Sequence, residues 1–352
     1  MQKKIPRLKM LNYILLIIFL FVQFQLIFAF VMYPALDPNF NSDGNTYFSY
    51  GRDCYLSPDG FDKVYSYNNW GIVVISYAAY SIFGESSFYF TRLFNIIIAA
   101  FLLYFMLKKL YWFKDQVLLF FLAISPSFML YSNIFSKEIL ISFFLIVLVD
   151  LIKKKRILCV VLLLCLIYTL RFYLPLLIIL PIGMYYIPNK YVHFIVILIG
   201  LFLGWKYLDF FNDLFLKMIM PSLSEMQRYG GSSISEWVSY PESLNELVLQ
   251  MPLRLLVFLI SPVNYDSVFH YIAAFFNIIL FAYPIFKLIQ KRRVVMHCKV
   301  SKLCIYMAIC MILFFSMIAS NDGVIWRQKV VISILLIYAL LELPCCNKQI
   351  IY

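Results

Sequence analysis

The chain has 352 residues, of which 63% are hydrophobic and only 14% are charged, and its mean hydropathy is +0.85. Soluble domains carry about 25% charged residues, so this composition excludes an ordinary soluble globule and predicts a protein of the lipid bilayer. The formal net charge of +12 does not indicate nucleic-acid binding, because the basic residues stand in short clusters between apolar runs rather than along one face.

The first apolar run follows four basic residues and is long enough to cross a bilayer. Lys3, Lys4, Arg7 and Lys9 precede a run from 11 to 33, and about 20 apolar residues suffice to span the hydrocarbon. The run is too long for a signal peptide, and no small-residue cleavage site follows it. We expect a signal anchor that stays in the membrane, with the N-terminus in the cytoplasm.

Apolar runs of similar character recur along the rest of the chain. They predict a single integral membrane domain over 1–352, all-α, built as a polytopic transmembrane helix bundle of about ten spans with both termini cytoplasmic. Several runs are shorter than the ~17 residues that a span needs, so the boundaries between 116 and 207 are left open. The predicted spans are 11–33, 88–107, 116–132, 139–152, 157–170, 174–187, 191–207, 268–290, 303–319 and 330–345.

The distribution of charge sets the orientation of these spans. Cytoplasmic segments of membrane proteins are enriched in Lys and Arg. In the predicted arrangement nineteen of the 30 basic residues lie inside, whereas only Asp115, Asp150 and Glu342 of the 18 acidic residues share that side. The polar loops are therefore expected on the external, periplasmic face.

Two long external loops are predicted, at 34–87 and 208–267. The first contains the apolar segment 70–83, which is too short to cross the bilayer and is predicted to be a helix on the outer leaflet. The second contains another short apolar stretch, 255–262. Loops of this length in a compact protein are usually functional or disordered, and the aromatic content of both argues against disorder.

The first loop carries the first candidate for chemistry. Asp43 lies on an Asp-Gly pair and is followed by Tyr47, Arg52 and Asp53. A carboxylate at the outer membrane surface can act as a general base toward an acceptor hydroxyl, so Asp43 is a candidate catalytic residue with Tyr47 and Arg52 as substrate-binding neighbours. The alternative is that these are solvated loop residues.

A second group of charges lies at the outer ends of the early spans. Arg92 falls just inside a span, where a cation is costly unless it is paired or faces a polar cavity; it is either a binding residue or a cation that reaches back to the interface. Lys137 and Glu138 stand side by side after Pro126, which is expected to kink or end the preceding helix. Glu138 is the second candidate catalytic residue and Lys137 a candidate binding residue, unless the pair only marks the interface.

Several later arginines lie on the same external side. The planar guanidinium suits bidentate capture of phosphate, so these arginines indicate a substrate that bears phosphate or pyrophosphate, although charge balance with the external acids is an alternative. Asp266 is a candidate ligand or ion-pair partner near the same surface. The residues predicted to bind substrate here are Arg171, Arg228, Arg254, Asp266 and Arg327.

The eight cysteines show no CxxC spacing, so neither a disulfide framework nor a zinc site is predicted. No metal site and no definite cofactor are expected, with a divalent cation at Asp43 as an open alternative. The chain also lacks a GxxxxGK[ST] loop, which excludes an ATP-driven pump as a single chain.

The order of these features resembles membrane glycosyltransferases of the GT-C class over roughly the first 150 residues. The matching text is SDGNTY, then WGIVVISYAAYSIFGESSFYFTRLFNIIIAAFLLY, then ISPSFMLYSNIFSKE. The resemblance implies a GT-C-like fold, a polyprenyl-linked sugar donor, a site away from the cytoplasm, and Asp43 as the acidic residue of the first loop. The chain departs from the pattern where Lys137 precedes Glu138 after the third span, and it has no large C-terminal soluble domain.

The composition and the late segments LLVFLISPVNYDS and NDGVIWRQKVVISILLIYAL also resemble bacterial O-antigen polymerases of the Wzy type, with Arg327 opening the final span. This resemblance implies an inner-membrane enzyme that acts on undecaprenyl-pyrophosphate-linked oligosaccharide, with membrane lipid and a chain-length regulator protein as further partners. Three alternatives are a transferase adding one sugar from a polyprenyl monophosphate, a lipid-linked oligosaccharide flippase or transporter, and a noncatalytic assembly partner.

Overall fold

The computed structural model describes residues 7–27, 42–67, 69–109, 113–134, 136–187, 241, 243–261, 268–318 and 322–350, and the single residues 191, 198 and 206. The structure is 91% helical, and no strand occurs in the part described. The prediction of an all-α chain is therefore confirmed.

Fifteen α-helices make up the described part of the chain. In order they are α1 (Arg7–Ile27), α2 (Ser42–Leu56), α3 (Trp70–Phe83), α4 (Ser87–Leu107), α5 (Phe113–Ile124), α6 (Pro126–Asn133), α7 (Lys137–Lys153), α8 (Ile157–Leu170), α9 (Leu174–Tyr186), α10 (Leu244–Ile260), α11 (Val268–Asn277), α12 (Tyr283–Gln290), α13 (Arg292–His297), α14 (Lys299–Ile318) and α15 (Asp322–Ile350).

Two helical stretches among the described residues are long and apolar enough to cross a membrane, Trp70–Leu107 and Lys299–Ile318. The first includes α3, a 3-10 turn at Gly84–Ser86 and α4. By itself this is weak evidence for association with a membrane, and the arrangement of ten spans stays a prediction.

The first predicted loop is mostly helical. The segment 70–83 forms a helix as predicted, and Gly84, with a φ of 58°, ends it in a conformation that favours glycine. The helix α2 was not foreseen. It packs tightly on α3, because a Cβ atom at Gly51 would lie only 2.6 Å from the Cβ atom of Ser76.

The predicted span 116–132 is not a single helix, which confirms the expectation that Pro126 kinks or ends the preceding helix. The chain instead forms α5 and α6, which are separated at Ser125. The hydroxyl of Ser125 accepts a hydrogen bond from the amide of Phe128 at 3.3 Å, and Pro126 occupies the first position of the new helix, where its missing N–H is harmless.

The helices α7 and α15 form the centre of the bundle. Between Val330 and Leu343 almost every side chain of α15 is buried, and α7 is buried along most of its length. A helix that is apolar all round belongs in such a position. Around this pair, α4 and α8 pack on α7, and α14 packs on α15.

The later part of the chain also differs from the prediction in detail. Residues 255–260 of the second apolar stretch form the end of a longer helix, α10, whose N-cap Ser243 accepts a hydrogen bond from the amide of Glu246. The predicted span 268–290 is helical throughout but contains a π turn at Ile278–Ala282. Most of the second predicted loop lies outside the described residues.

An ion network joins the C-terminal ends of α4, α7 and α15. The buried carboxylate of Glu342 contacts Lys109 and lies 2.9 Å from the ammonium of Lys153. Asp150 lies 3.7 Å from Lys109 and 2.6 Å from Lys154. Residues that the sequence assigns to one side of the membrane therefore meet at one end of the bundle.

Cys298, at the same end of the bundle, is disulfide-bonded. The expectation that the chain forms no disulfide was therefore wrong at this position. Five other cysteines among the described residues are free, including Cys54, which is completely buried.

Candidate functional site

A buried ion pair stands at the opposite end of the bundle from this network. The Nη2 atom of Arg171 lies 2.6 Å from Oε1 of Glu138, and the two side chains are only 6% and 2% exposed. The Nη1 atom of Arg171 donates a second hydrogen bond, also 2.6 Å long, to Oε1 of Gln328. One guanidinium, directly after α8, thus links α8 to the two central helices α7 and α15.

The helix ends explain why these charges are tolerated there. Glu138 lies in the first turn of α7, where the partial positive charge of the helix N-terminus stabilises a carboxylate. Arg171 follows directly after α8, where the partial negative charge of the C-terminus stabilises a cation. The local dipoles of two helices therefore support the pair that joins them.

Two further cations surround Glu138. Arg327 and Lys137 both interact with its carboxylate electrostatically, and the ammonium of Lys137 lies 5.4 Å from the ring of Tyr47. With Arg171 this makes three cations around one described carboxylate. Arginine and lysine side chains in such a group can contact a phosphate or another anionic group.

Aromatic rings line the other side of Arg171. Its guanidinium carbon lies 6.0 Å from the ring centre of Tyr173 and 5.8 Å from that of Phe315. The ring of Tyr173 packs in turn on Phe314, with centres 4.8 Å apart. Such packing restricts the guanidinium to one orientation, as a group that recognises phosphate requires.

The start of α7 is held by α4. The amide group of Asn95 donates hydrogen bonds to the backbone carbonyls of Ile134 and Ser136 at 2.5 and 3.0 Å. One turn earlier on α4, Arg92 is 2% exposed and its guanidinium stacks 4.4 Å from the ring of Phe88. Arg92 is thus a buried cation of the bundle rather than one that reaches solvent.

The structure unites only part of the predicted site. Glu138, Arg171, Lys137, Arg327 and Tyr47 belong to the cluster.

Two predicted binding residues have other surroundings. Arg254 on α10 donates to Gln250 at 3.0 Å and to the carbonyl of Met317 at 3.2 Å. Arg52 lies 3.5 Å from its neighbour Asp53, with both side chains more than a third exposed.

Three predicted residues have no described side chain. Asp43 lies in the first turn of α2, and its side chain lies outside the described part of the structure. Arg228 and Asp266 lie outside the described residues. The structure therefore adds no geometry for these three positions.

Sequence reasoning missed the neutral members of the cluster. Gln328 adjoins Arg327, and Tyr173 follows Arg171 by two residues, so proximity to a predicted arginine was the available signal. Asn95 carried no signal of its own, because its function is to hold the backbone of a segment about 40 residues further on.

Among the residues whose side chains are described, no group of three or more His, Cys, Asp or Glu residues could hold a metal ion. No protein-family model matches the chain, and neither a curated protein nor a solved structure shows significant similarity to it.

Proposed function

We propose that this protein is a membrane glycosyltransferase of surface polysaccharide synthesis. It polymerises undecaprenyl-pyrophosphate-linked O-antigen repeat units at the periplasmic face of a bacterial inner membrane. The observation that carries the proposal is the cluster of Arg171, Lys137 and Arg327 around Glu138, because it brings cations that can contact a phosphate together with a carboxylate that can accept a proton.

The separation of the two charged regions supports a site on the external side. Glu138 and Asp150 are twelve residues apart on α7, which corresponds to about 18 Å along a helix. The intervening residues of α7 carry no charge. The basic clusters that mark a cytoplasmic face lie at the Asp150 end, so the cluster around Glu138 lies toward the periplasm in this orientation.

In the proposed reaction an acceptor sugar hydroxyl attacks the anomeric carbon of the donor. A C–O bond forms there as the bond to the pyrophosphate oxygen breaks, and the hydroxyl proton passes to a carboxylate, either Glu138 or Asp43. Arg171 and Arg327 stabilise the negative charge that develops on the departing undecaprenyl pyrophosphate.

A transporter is disfavoured by the same distribution of charge. A path for a charged lipid-linked substrate predicts ionisable residues along the middle of the helices. On the central helix α7 they occur only at the two ends. A transferase that adds a single sugar fits the cluster as well as a polymerase does. Loss of the polymerase abolishes the polymer, whereas loss of the single-sugar transferase changes the sugar composition and leaves the polymer length intact.

The disulfide at Cys298 is evidence against this orientation, because the cytosol keeps thiols reduced. Labelling of exposed cysteine variants from one side of the membrane decides between the two orientations. The proposed orientation in the membrane and the proposed reaction are therefore tested by separate experiments.

The polymerase proposal is tested by deleting the gene and separating the surface polysaccharide on a gel. We expect the ladder of chain lengths to be lost and to return with the wild-type gene. Arg171→Ala, Arg327→Ala and Asp43→Ala are expected to leave it lost or strongly reduced. The matched control is Arg156→Ala. Arg156 is exposed and directly precedes the first residue of α8, whereas Arg171 directly follows its last residue. An unchanged ladder in the deletion strain contradicts the proposal, and a full ladder of altered sugar composition supports the single-sugar transferase.

A further inference from the structure

Two neighbouring helices of the bundle are too short to cross a bilayer of ordinary thickness. The apolar helices α8 and α9 have 14 and 13 residues, which gives each of them a length of about 20 Å. The hydrocarbon of a typical bilayer is about 30 Å thick. The helix α4 has 21 residues, and its length of about 31 Å matches that thickness.

The outward face of α8 and α9 is apolar. On α8, Leu158, Leu162 and Leu166 recur every four residues and are 73, 58 and 51% exposed, and on α9 Leu176 is 68% exposed. The opposite face of α8 is buried, and the helix packs on α3 and α7. A large exposed apolar surface marks contact with a protein or a membrane. In a chain that is 63% hydrophobic, the acyl chains of the bilayer are the partner that fits this face.

Arginines bound α8 at both ends, and only one of them is able to extend. Arg156 directly precedes the helix and is exposed, so its long side chain reaches toward the headgroups. Arg171 directly follows the helix and is 5% exposed. Its guanidinium is held by Glu138 and Gln328. The mismatch between α8 and the bilayer is therefore concentrated at the Arg171 end.

The contacts between α4 and α7 show how far the start of α7 lies below the start of α4. Asn95, which donates to the carbonyl of Ser136 at 3.0 Å, follows Ser87 by eight residues, or about 12 Å along the helix. Near the other end, Lys109 lies 3.7 Å from Asp150. The two helices therefore run in the same direction, and α7 begins about 12 Å below the first residue of α4.

We infer that the bilayer is thinner beside α8 and α9 than beside α4, so that lipid headgroups lie at the level of the pair of Glu138 and Arg171. The shortfall of α8 against the hydrocarbon, about 10 Å, agrees with the depth at which α7 begins. Thinning is one way in which a bilayer accommodates a short apolar segment. The interaction surface is the outward face of α8 and α9, and its partner is phospholipid with shortened or tilted acyl chains.

This inference goes beyond the proposed function and does not depend on it. It requires only that α4, α7, α8 and α9 cross the bilayer as the sequence predicts, in either orientation. Where the proposed function holds, thinning brings the phosphate of a lipid-linked sugar to the level of Arg171 while the lipid stays in the headgroup layer.

Depth-dependent fluorescence quenching tests the inference. Leu176→Cys places a reporter near the start of α9, and Phe90→Cys places the comparison near the start of α4, where the native side chain is 40% exposed. Both are made in the full-length chain with Cys159→Ser and Cys165→Ser, because these native thiols are exposed. Each protein is labelled with a maleimide fluorophore and placed in phosphatidylcholine vesicles that carry a nitroxide in the headgroup or in the middle of the acyl chain. The same chain without a reporter gives the background.

We expect the headgroup nitroxide to quench both reporters more strongly than the mid-chain nitroxide does. In a bilayer of uniform thickness, the reporter at position 176 lies about 10 Å deeper than the one at position 90. Stronger quenching of the reporter at 176 by the mid-chain nitroxide therefore overturns the inference. Absence of quenching at 176 by either lipid also overturns it, because a protein surface then covers the outward face of α9.

A matched pair of charge substitutions on α8 gives a second test. Tyr168 near the Arg171 end and Leu162 near the middle are 52 and 58% exposed. Because a charge is costly near the bilayer centre, we expect Leu162→Lys to lower the melting temperature in vesicles and Tyr168→Lys to leave it unchanged. Equal losses overturn the inference. An unchanged polysaccharide ladder in the deletion strain contradicts the proposed function instead, and has no bearing on either of these measurements.

Discussion

The guanidinium of Arg171 lies 2.6 Å from the carboxylate of Glu138, although 33 residues separate them along the chain. Both side chains are almost completely buried. A pair of this kind gives little net stability, since the cost of desolvation offsets most of the attraction between the charges. Its position among further cations therefore points to function more than to folding.

Removing one member of this pair is expected to destabilise the protein strongly. Arg171→Met leaves Glu138 buried beside fewer cations and should lower the free energy of unfolding by about 3–5 kcal/mol, whereas Glu138→Leu with Arg171→Met should recover most of that loss. The measurement is thermal unfolding in detergent.

The double variant also separates stability from activity. It should be stable and yet fail to restore the polysaccharide ladder. A stable double variant that restores a full ladder contradicts the assignment of these two residues to the site.

The contact between α3 and α8 depends on Gly71. A Cβ atom added there would lie 2.8 Å from the Cβ atom of Thr169 and 3.0 Å from its backbone, so the helices must move apart. We expect Gly71→Ala to destabilise the protein by about 1–3 kcal/mol, as measured by thermal unfolding.

Gly183 on α9 is the matched control, because a Cβ atom there meets nothing within 4 Å. Gly183→Ala should be neutral or stabilise slightly, by up to about 1 kcal/mol. Equal effects of the two substitutions contradict the close approach of α3 to α8. Since Thr169 stands two residues before Arg171, Gly71→Ala is also expected to weaken activity.

The ion network at the other end of the bundle is expected to be structural. Glu342→Gln leaves Lys109 and Lys153 without their shared carboxylate and should cost about 1–3 kcal/mol, since both lysines keep partial access to solvent. Lys153→Ala should cost under about 1 kcal/mol, because that side chain is 42% exposed. Thermal unfolding gives both values, and the polysaccharide ladder should be kept. Loss of the ladder in a stable Glu342→Gln protein contradicts a purely structural network.

Cys54 is expected to resist thiol reagents. It is completely buried, and this burial raises the pKa of its thiol above the usual value, so the reactive thiolate is scarce even in mildly alkaline buffer. Labelling should stay slow from pH 7 to pH 9 and accelerate only on unfolding. Rapid labelling of the native protein contradicts the packing of α2 on α3.

Because Cys54 is buried, the orientation of the protein in the membrane is tested with cysteines introduced at exposed positions. Asp59→Cys and Arg156→Cys place thiols at exposed sites in the predicted first loop and the predicted cytoplasmic segment. A membrane-impermeant maleimide should label the first in intact cells, and the second only after the inner membrane is opened. The reverse pattern places the cluster around Glu138 on the cytoplasmic side and agrees with the disulfide at Cys298.

Local sequence patterns predicted most helices correctly, because a helix depends largely on the residue types within one continuous segment. The segment 70–83 is bounded by Gly84, and α8 and α9 are separated at Arg171, within a residue or two of the predicted ends. Hydropathy alone predicts one span over 116–132, whereas Pro126 predicts the break that the structure shows, because Ser125 and Pro126 together form a helix start. The helix α2 was missed because its moderately polar sequence is stabilised by packing on α3.

The sequence by itself determined the composition suited to a bilayer, the all-helical class and the segregation of basic clusters from the acidic residues of the two predicted loops, since each depends only on residue type and order. Only the tertiary structure decided which charged residues lie in contact. Arg171 contacts Glu138 and Gln328, whereas Arg254 contacts Gln250 and the carbonyl of Met317. The physical reason is that a buried charge is stabilised by groups within a few ångströms. Such groups come from helices far apart in the chain, whose packing is a property of the whole bundle.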